Sequence, residues 1–148
     1  MTTGETLLVT GGAGYVGSHC VAELLERGHR VVVLDNLQQG HRAAVPKGVP
    51  FVAGDLADIG LLRKVFAEHR IGAVLHFAAN SLVGESMRDP FKYVGDNVTN
   101  ALNLLRVAVD AGTRKFVLSS TANLFGLPER TPIDETVSID PGSPYGES

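Results

Sequence analysis

Three glycines fall at regular intervals where a predicted strand meets a predicted helix. Gly11, Gly14 and Gly17 form a G-x-x-G-x-x-G spacing after the apolar run that ends at Thr10. In this pattern the first glycine permits a tight turn, the second lets the backbone approach a pyrophosphate, and the third lets the helix pack closely on the strand. The amides and dipole of a helix N-terminus attract the negative charge. The spacing predicts a dinucleotide-binding turn, and a glycine-rich turn without a ligand is the alternative.

Two aspartates extend this prediction to the neighbouring strands. Asp35 follows Gly17 by 18 residues. This is close to the separation of about 20 residues expected for a carboxylate that binds the adenine ribose hydroxyls. Such a carboxylate would repel the 2′-phosphate of NADP, so the sequence favours NAD. Asp55 follows the third apolar run, at the sheet edge where ligands collect in open α/β folds. The alternatives are a solvent-facing aspartate at position 35 and a turn aspartate at position 55.

Short apolar runs alternate with stretches of helical period along the chain. This alternation predicts a parallel sheet covered by helices. The predicted strands are Thr6–Thr10, Arg30–Leu34, Pro50–Val52, Ala73–His76 and Lys115–Ser119. Because most are nearly continuous apolar runs, we expect them to be buried on both faces. The predicted fold class is α/β with a doubly wound parallel sheet. It is a single Rossmann-type NAD-binding domain over residues 1–148, which we expect to be incomplete at its C-terminal end.

Capping residues and apolar spacing predict two helices early in the chain. The first runs from about Tyr15 to Arg27, and Gly28 closes it in the left-handed conformation. The second runs from Asp58, its predicted N-cap, to His69. The predicted buried residues of the first helix are Val16, Cys20, Ala22 and Leu24.

A third and longest helix is predicted to begin at Asp89 and Pro90. An N-cap residue followed by proline at the first helical position is a typical helix start. The helix should continue as far as Gly112. Its predicted buried face consists of Val94, Val98, Ala101, Leu105 and Ala108. After Ser119 the prolines predict a loop region without regular elements.

Composition and charge exclude several classes of partner. The 148 residues carry a formal net charge of -3 without a basic cluster, which argues against binding to nucleic acid or an anionic membrane surface. The apolar run Leu7–Val9 is too short for a signal sequence or a membrane span. Cys20 is the single cysteine and cannot form an internal disulfide, so we expect a cytoplasmic protein. The five histidines have no ligand spacing, so we expect no metal site.

Several motifs together resemble the extended short-chain dehydrogenase/reductases and, within them, the UDP-glucose 4-epimerases (UDP-galactose 4-epimerases). The similarity runs over the whole chain. The stretch Val83-Gly84-Glu85-Ser86 is typical of the 4-epimerases, whereas the glycine turn is shared by the superfamily. The other matching motifs are residues 10–19, Asp35-Asn36-Leu37, Gly54-Asp55-Leu56, His76-Phe77-Ala78-Ala79, Asn97-Val98, Ser119-Ser120-Thr121-Ala122 and Ser143-Pro144-Tyr145-Gly146.

The resemblance implies a set of NAD-binding residues along the chain. The backbone amides of Tyr15 and Val16 would contact the pyrophosphate. The adenine ribose would be held by Asp35, Asn36, Leu37 and the loop to Gly40, and the adenine would be flanked by Asp55 and Leu56. The other implied cofactor-binding residues are Phe77, Ala78, Ala79, Ser81, Asp96, Asn97 and Ser119. Ser81 stands where many family members have a lysine, and Asp96 replaces an asparagine that often precedes Asn97.

The resemblance also implies a catalytic pair, Thr121 and Tyr145. Tyr145 would begin a Tyr-x-x-x-Lys motif whose lysine would follow Ser148 directly. A tyrosine with an ordinary pKa of about 10 is a poor base near neutrality, and a nearby positive charge favours the phenolate. We therefore expect the 148-residue chain alone to be inactive and the substrate domain to lie outside it.

By resemblance, the function is NAD-dependent epimerisation at C4 of a UDP-hexose (UDP-glucose or UDP-galactose) through a transient 4-keto sugar. The expected partner is a UDP-sugar substrate, with a homodimer in the full-length form. Two alternatives stay open. A nucleotide-sugar 4,6-dehydratase usually has an acidic pair where Ala122 and Asn123 stand here. A non-catalytic NAD-binding fragment is the other.

Overall fold

The computed structural model describes residues 5–148, which divide into two compact units. The first consists of residues 5–78 and 101–119, and the second of residues 79–100 and 120–148. Each unit is described separately below.

The first unit contains a five-stranded parallel sheet. Its strands are β1 (Thr6–Thr10), β2 (Arg30–Asp35), β3 (Phe51–Ala53), β4 (Ile71–His76) and β5 (Lys115–Leu118). Their order in the sheet is β3-β2-β1-β4-β5, and every neighbouring pair is parallel. Strands β2 and β3 are added on one side of β1, and β4 and β5 are added on its other side. This change of side is what a doubly wound sheet requires. The predicted fold class is confirmed, and each strand boundary lies within two residues of its predicted position.

Apolar side chains fill both faces of this sheet. On one face, Leu8, Val32 and Val74 pack with α2 (Ile59–His69) and α5 (Asn100–Asp110). On the other face, Leu7 and Val9 pack with α1 (Tyr15–Glu26) and the loop before β3. Burial on both faces explains why the central strands consist of consecutive apolar residues.

The edge strand β5 departs from the predicted burial. Val117 is 50% exposed and Leu118 is 60% exposed, whereas the five residues of β1 are all buried. Among the described strands, β5 pairs only with β4. A strand with one neighbour has less apolar surface around it, and its apolar sequence alone does not reveal that position.

Helix α1 buries a different face from the one predicted. Its buried residues are Gly17, Val21 and Leu24, which share one face at helical spacing. Val16 and Ala22 are exposed and Cys20 is half-buried, so that part of the prediction is wrong. Apolar residues occupy both faces of this short helix, and packing on the sheet selects one of them.

The predicted helix ends are confirmed where side-chain or backbone caps define them. The Asp58 carboxylate accepts a hydrogen bond from the N–H of Leu61 at 2.9 Å, which caps α2. At the end of α1, Gly28 has φ +77°, and the next N–H bonds back to the Leu24 carbonyl at 2.9 Å. Gly112 closes α5 in the same way with φ +78°.

The predicted third helix is interrupted. It consists of α4 (Pro90–Tyr93), a π-helical segment (Val94–Thr99) and α5. Its buried positions include Tyr93, Asn97, Leu104 and Ala108, whereas Val94 and Leu105 are exposed. The predicted burial is therefore confirmed at Ala108 and wrong at Val94 and Leu105, because several apolar residues on either side of the true buried face satisfy the same helical spacing.

The second unit also contains short elements that the sequence analysis did not predict. These are α3 (Val83–Ser86), a 3₁₀ turn (Ala122–Phe125) and α6 (Pro144–Glu147). The Ser143 hydroxyl caps α6 by accepting a hydrogen bond from the N–H of Gly146 at 3.1 Å. Ser143 and Pro144 repeat the N-cap and proline pattern of Asp89 and Pro90, so the loop prediction after Ser119 overlooked a recognisable helix start.

Two kinds of structural feature are absent from residues 5–148. No helix there combines the length and apolar character needed to cross a membrane. No group of three or more His, Cys, Asp or Glu side chains in this range is arranged to hold a metal ion.

Candidate functional site

The glycine turn joins β1 to α1 through a tightly packed backbone. Gly11 has φ +71°, and a Cβ there would lie 2.6 Å from the backbone of Phe77 and Ala78. A Cβ on Gly17 would collide with the Gly11 carbonyl. These two positions therefore have the turn and packing roles predicted for them.

Gly14 differs from the other two glycines because its surroundings are open. A Cβ there would meet only the Gly11 carbonyl oxygen, at 3.3 Å. Gly14 is also the N-cap of α1, and no side chain caps this helix start. The next two residues, Tyr15 and Val16, are 83% and 58% exposed. An uncapped helix start with an open backbone approach has the geometry of an anion-binding turn.

Asp35 lies at the end of β2 and is hydrogen-bonded to the glycine turn. Its Oδ2 accepts from the N–H of Ala13 at 2.9 Å, and its Oδ1 accepts from the N–H of Leu37 at 2.8 Å. The residue is only 5% exposed. Gly40 packs on this pair, since a Cβ there would lie 2.9 Å from Asp35 Oδ1. Each oxygen of an ionised carboxylate has a further lone pair for a ligand donor.

Asn36 and Asp55 connect the ends of β2 and β3. The Asn36 amide donates to Asp55 Oδ2 at 2.8 Å, and Asp55 Oδ1 accepts from the N–H of Ala57 at 2.9 Å. The structure thus brings these two predicted residues together. Leu56 is buried in the core, and its carbonyl accepts from the side chain of Asn103 at 3.4 Å. Sequence reasoning missed Asn103.

The predicted cofactor residues divide between the two units. The first unit contains those from Gly11 to Ala78 and also Ser119, whose N–H donates to the His76 carbonyl at 3.1 Å. The second unit contains Ala79, Ser81, Asp96, Asn97 and both catalytic candidates. The side chains of Phe77 and Ala78 are half-buried, whereas Ala79, Ser81 and Ser119 are exposed.

In the second unit, Asn97 is buried and its side chain is hydrogen-bonded to two separate segments of the chain. Its Oδ1 accepts from the Asn80 N–H at 2.8 Å, and its Nδ2 donates to the Asn80 carbonyl at 3.0 Å and to Ser148 Oγ at 2.9 Å. The Asp96 carboxylate accepts from the Asn80 side chain at 2.7 Å. Both residues lie in the π-helical segment, and such segments frequently mark functional positions. No sequence pattern singled out Asn80.

Tyr145 lies on α6 and is half-buried, with its ring edge-on to that of Tyr93 at a centroid distance of 6.2 Å. Thr121 is the N-cap of the 3₁₀ turn, and its Oγ1 accepts from the backbone and side-chain nitrogens of Asn123 at 3.1 and 3.2 Å. A Cβ on Gly146 would lie 2.6 Å from the Asn123 carbonyl. The turn of Thr121 and the helix of Tyr145 are therefore in close backbone contact.

A hydrogen-bonded network supports Tyr93. Its fully buried hydroxyl accepts from the N–H of Leu82 at 3.0 Å and lies 2.8 Å from the Leu82 carbonyl and 2.9 Å from Glu85 Oε2. Lys92 forms an ion pair with Glu85 at 2.8 Å. The hydrogen bond from Lys92, followed by that from Tyr93, lowers the pKa of Glu85, and burial raises the pKa of Tyr93. The sequence motif singled out Glu85, but not Lys92 or Tyr93.

Comparison with known proteins identifies the family. Residues 7–148 match the model of the NAD dependent epimerase/dehydratase family, which is nearly the whole chain. The chain belongs to this family. The resemblance to its 4-epimerases is strong as well. A curated UDP-glucose 4-epimerase from Halalkalibacterium halodurans is 49% identical over 142 residues, which are 96% of this chain and 42% of that protein.

Solved structures of the family agree with this assignment. A crystal structure of a UDP-glucose 4-epimerase superimposes with a TM-score of 0.94 at 47% identity, covering 97% of this chain and 44% of that one. The UDP-glucose 4-epimerase from Brucella ovis, solved in complex with NAD, gives a TM-score of 0.93 at 40% identity, with the same coverage. The chain therefore spans less than half the length of these family members.

Proposed function

We propose that this chain binds NAD at the carboxyl edge of the sheet in its first unit. The observation that carries the proposal is the hydrogen bond between Asp35 and Ala13. It places a carboxylate suited to ribose hydroxyls beside a glycine turn suited to a pyrophosphate. The uncapped start of α1 and the open approach at Gly14 fit the same ligand.

The proposed contacts follow from where each predicted residue lies. The amides of Tyr15 and Val16 would donate to the pyrophosphate, and Asp35 would accept from the adenine ribose. Asn36 would contact the adenine ribose, and Asp55, which accepts a hydrogen bond from the Asn36 amide, would flank the adenine. Leu37 and Gly40 would support Asp35, because one donates to its carboxylate and the other packs against it.

We further propose that the complete protein is a UDP-hexose 4-epimerase acting on UDP-glucose and UDP-galactose. The high identity to UDP-glucose 4-epimerases supports this reading. Bound NAD would supply reversible hydride acceptance at C4′ of the hexose, through a transient 4-keto sugar. The Tyr145 phenol would take the proton of the 4′-hydroxyl and later return one. The Thr121 hydroxyl would hydrogen-bond the same oxygen.

Tyr145 needs a neighbouring positive charge to act as a base near neutrality. In the family the lysine of the Tyr-x-x-x-Lys motif supplies it, and that lysine would directly follow Ser148. Asn97 is hydrogen-bonded to Ser148, which in turn donates to the Tyr145 carbonyl at 3.1 Å. Asn97 would therefore help to orient the segment that carries both groups. We expect residues 1–148 by themselves to bind the cofactor without turnover.

The 4,6-dehydratase alternative is weaker because the residues after Thr121 lack carboxyl groups. Asn123 occupies a position where dehydratases usually have an acid, and its side chain is hydrogen-bonded to Thr121. An amide in this place cannot protonate a leaving hydroxyl.

We also propose that the full-length protein is a cytoplasmic homodimer. An apolar stripe on α5, formed by Leu102, Leu105 and Val109, supports association, because these side chains are 58%, 37% and 71% exposed. The single cysteine, Cys20, is free, which fits a reducing compartment.

The test is an assay of UDP-glucose and UDP-galactose interconversion by this chain and by a version extended through the lysine and the substrate domain. Products are also scanned for the 4-keto-6-deoxy sugar. We expect turnover by the extended protein alone. Accumulation of the deoxy sugar would replace the epimerase with a dehydratase, and robust turnover by the short chain would refute the requirement for the lysine.

A further inference from the structure

A cleft of about 560 Å³ opens at the amino-terminal edge of the sheet in the first unit. It lies where β1 and β2 begin, at Thr6 and Arg30, whereas the proposed NAD contacts lie at the carboxyl ends of the strands. The ends of α1 and α2 and residues 46–50 complete its walls. Its volume falls within the range of about 300 to 1,000 Å³ that is typical of small-molecule sites.

Every charged or titratable side chain that lines this cleft is basic. These side chains are His29, Arg30, Lys47 and His69. The chain as a whole has a net charge of -3, so the cleft has the opposite character from the average surface. In the described part of the chain, none of these four side chains forms an ion pair with a carboxylate. The positive charges of Arg30 and Lys47 are therefore not neutralised by the protein.

The two histidines lie at helix ends, and the other two residues do not. His69 is in the last turn of α2, and His29 follows the end of α1. Arg30 begins β2, and Lys47 lies in a turn closed by the hydrogen bond from Val49 N–H to the Pro46 carbonyl at 3.3 Å. Both are exposed, so their donor groups are accessible to a ligand.

The walls between these cations are apolar and held by backbone hydrogen bonds. Val31 is 3% exposed and Val49 is 9% exposed, and both belong to the core on that face of the sheet. The N–H of Val33 bonds to the Pro50 carbonyl at 2.9 Å, and the N–H of His29 bonds to the Leu24 carbonyl at 2.9 Å. The cleft is therefore framed by two anchored segments.

We propose that this cleft binds a small organic anion: a carboxylate or phosphate monoester attached to a flat apolar body. The apolar walls would cover the body. The planar Arg30 guanidinium would take two oxygens of the anion together, and the Lys47 ammonium would add a point charge. This site is independent of the proposed NAD site.

The test is an NMR titration of the isotope-labelled chain with 2-naphthoate, 1-naphthyl phosphate and the neutral 2-naphthalenemethanol. The first two probes separate carboxylate from phosphate recognition, and the third has the apolar body without the charge. We expect at least one anion to shift the amide signals of Arg30, Lys47 and Gly48. We expect the neutral compound to bind at least about tenfold more weakly.

Two double variants with the same change in charge complete the experiment. Arg30→Gln with Lys47→Gln should weaken anion binding by about tenfold or more. Arg63→Gln with Arg114→Gln, at exposed positions outside the cleft, should change it by less than about twofold. Equal binding of the neutral probe, absence of binding by both anions, or amide shifts confined to the opposite edge of the sheet would each overturn the proposal. The comparison of the three probes on the unmodified chain tests anion binding in the cleft even if a variant misfolds.

Discussion

The carboxylate of Asp35 is hydrogen-bonded to the backbone of Ala13 in the glycine turn, at 2.9 Å. This contact leads to the first prediction, that NAD binds more tightly than NADP. Asp35→Asn should weaken NAD binding by about tenfold or more and narrow the preference over NADP, because it removes the charge that repels a 2′-phosphate. Calorimetric titration with both cofactors measures this. Asp58→Asn, at the cap of α2, is the matched control and should leave the ratio of NAD affinity to NADP affinity unchanged. Equal or tighter binding of NADP by the unmodified chain would exclude the ribose role of Asp35.

The second prediction concerns Gly14. A valine there should abolish NAD binding without unfolding the chain, because the backbone angles (φ -78°, ψ 175°) are accessible to any residue and the added side chain would occupy the ligand's approach. Circular dichroism and thermal unfolding monitor the fold. Gly142→Val, at an open position in the second unit, serves as control. Normal NAD binding by Gly14→Val would place the cofactor elsewhere.

The third prediction is a loss of stability in mild acid. His76 is buried, its Nδ1 lies 2.6 Å from the Thr10 hydroxyl, and burial lowers its pKa to about 4. The unfolded chain takes up this proton near pH 6.5, so the free energy of unfolding should fall as the pH drops from 6.5 towards 4, by up to about 3 kcal/mol. Denaturant unfolding at several pH values measures the slope. His76→Gln should flatten it, whereas His41→Gln, at an exposed position, should not.

The caps and turns were predictable because their signals are local. Asp58 and Gly28 are recognised from their residue type and place next to an apolar pattern, and both predictions are confirmed. The glycine spacing likewise locates a turn whose close contacts the structure verifies at Gly11 and Gly17. Such features depend on a few neighbouring residues.

Burial and long-range contacts were less predictable because they depend on packing partners. The sequence does not show that Val16 is exposed while Val21 is buried, since both are apolar residues of the same helix. The π-helical segment and the bonds from Asn97 to Asn80 also have no local signal. They form only when distant segments of the second unit meet.

The fourth prediction tests the catalytic pair in the extended protein. Tyr145→Phe should remove most epimerase activity because it deletes the proposed base. Thr121→Ala should cost less, within the roughly 10² to 10⁴-fold expected for a positioned proton-handling group. Thr121→Ser should be mild because it keeps the hydroxyl. Steady-state kinetics measures all three, and a fully active Tyr145→Phe variant would remove Tyr145 from the mechanism.

The fifth prediction concerns the network around Tyr93. Tyr93→Phe should lower the free energy of unfolding by about 0.5 to 1.5 kcal/mol, because the N–H and carbonyl of Leu82 lose their hydrogen bonds to the hydroxyl. Denaturant unfolding measures the loss. Phe91→Leu, at a position that is 88% exposed, should have little effect. A Tyr93→Phe variant as stable as the parent would show that water replaces the hydroxyl without loss.

The hydrogen bonds around Asp35 and Asp55 have a consequence for the thermodynamics of recognition. Backbone N–H groups hold both carboxylates in place, and Asn36 links the ends of β2 and β3. Ordering a mobile side chain on association costs about 0.5 to 1.5 kcal/mol. Because these side chains are already held in place, ligand binding at this edge of the sheet costs little side-chain conformational entropy. The affinity of a nucleotide for it should therefore follow the contacts that the nucleotide itself makes, rather than any rearrangement of the protein.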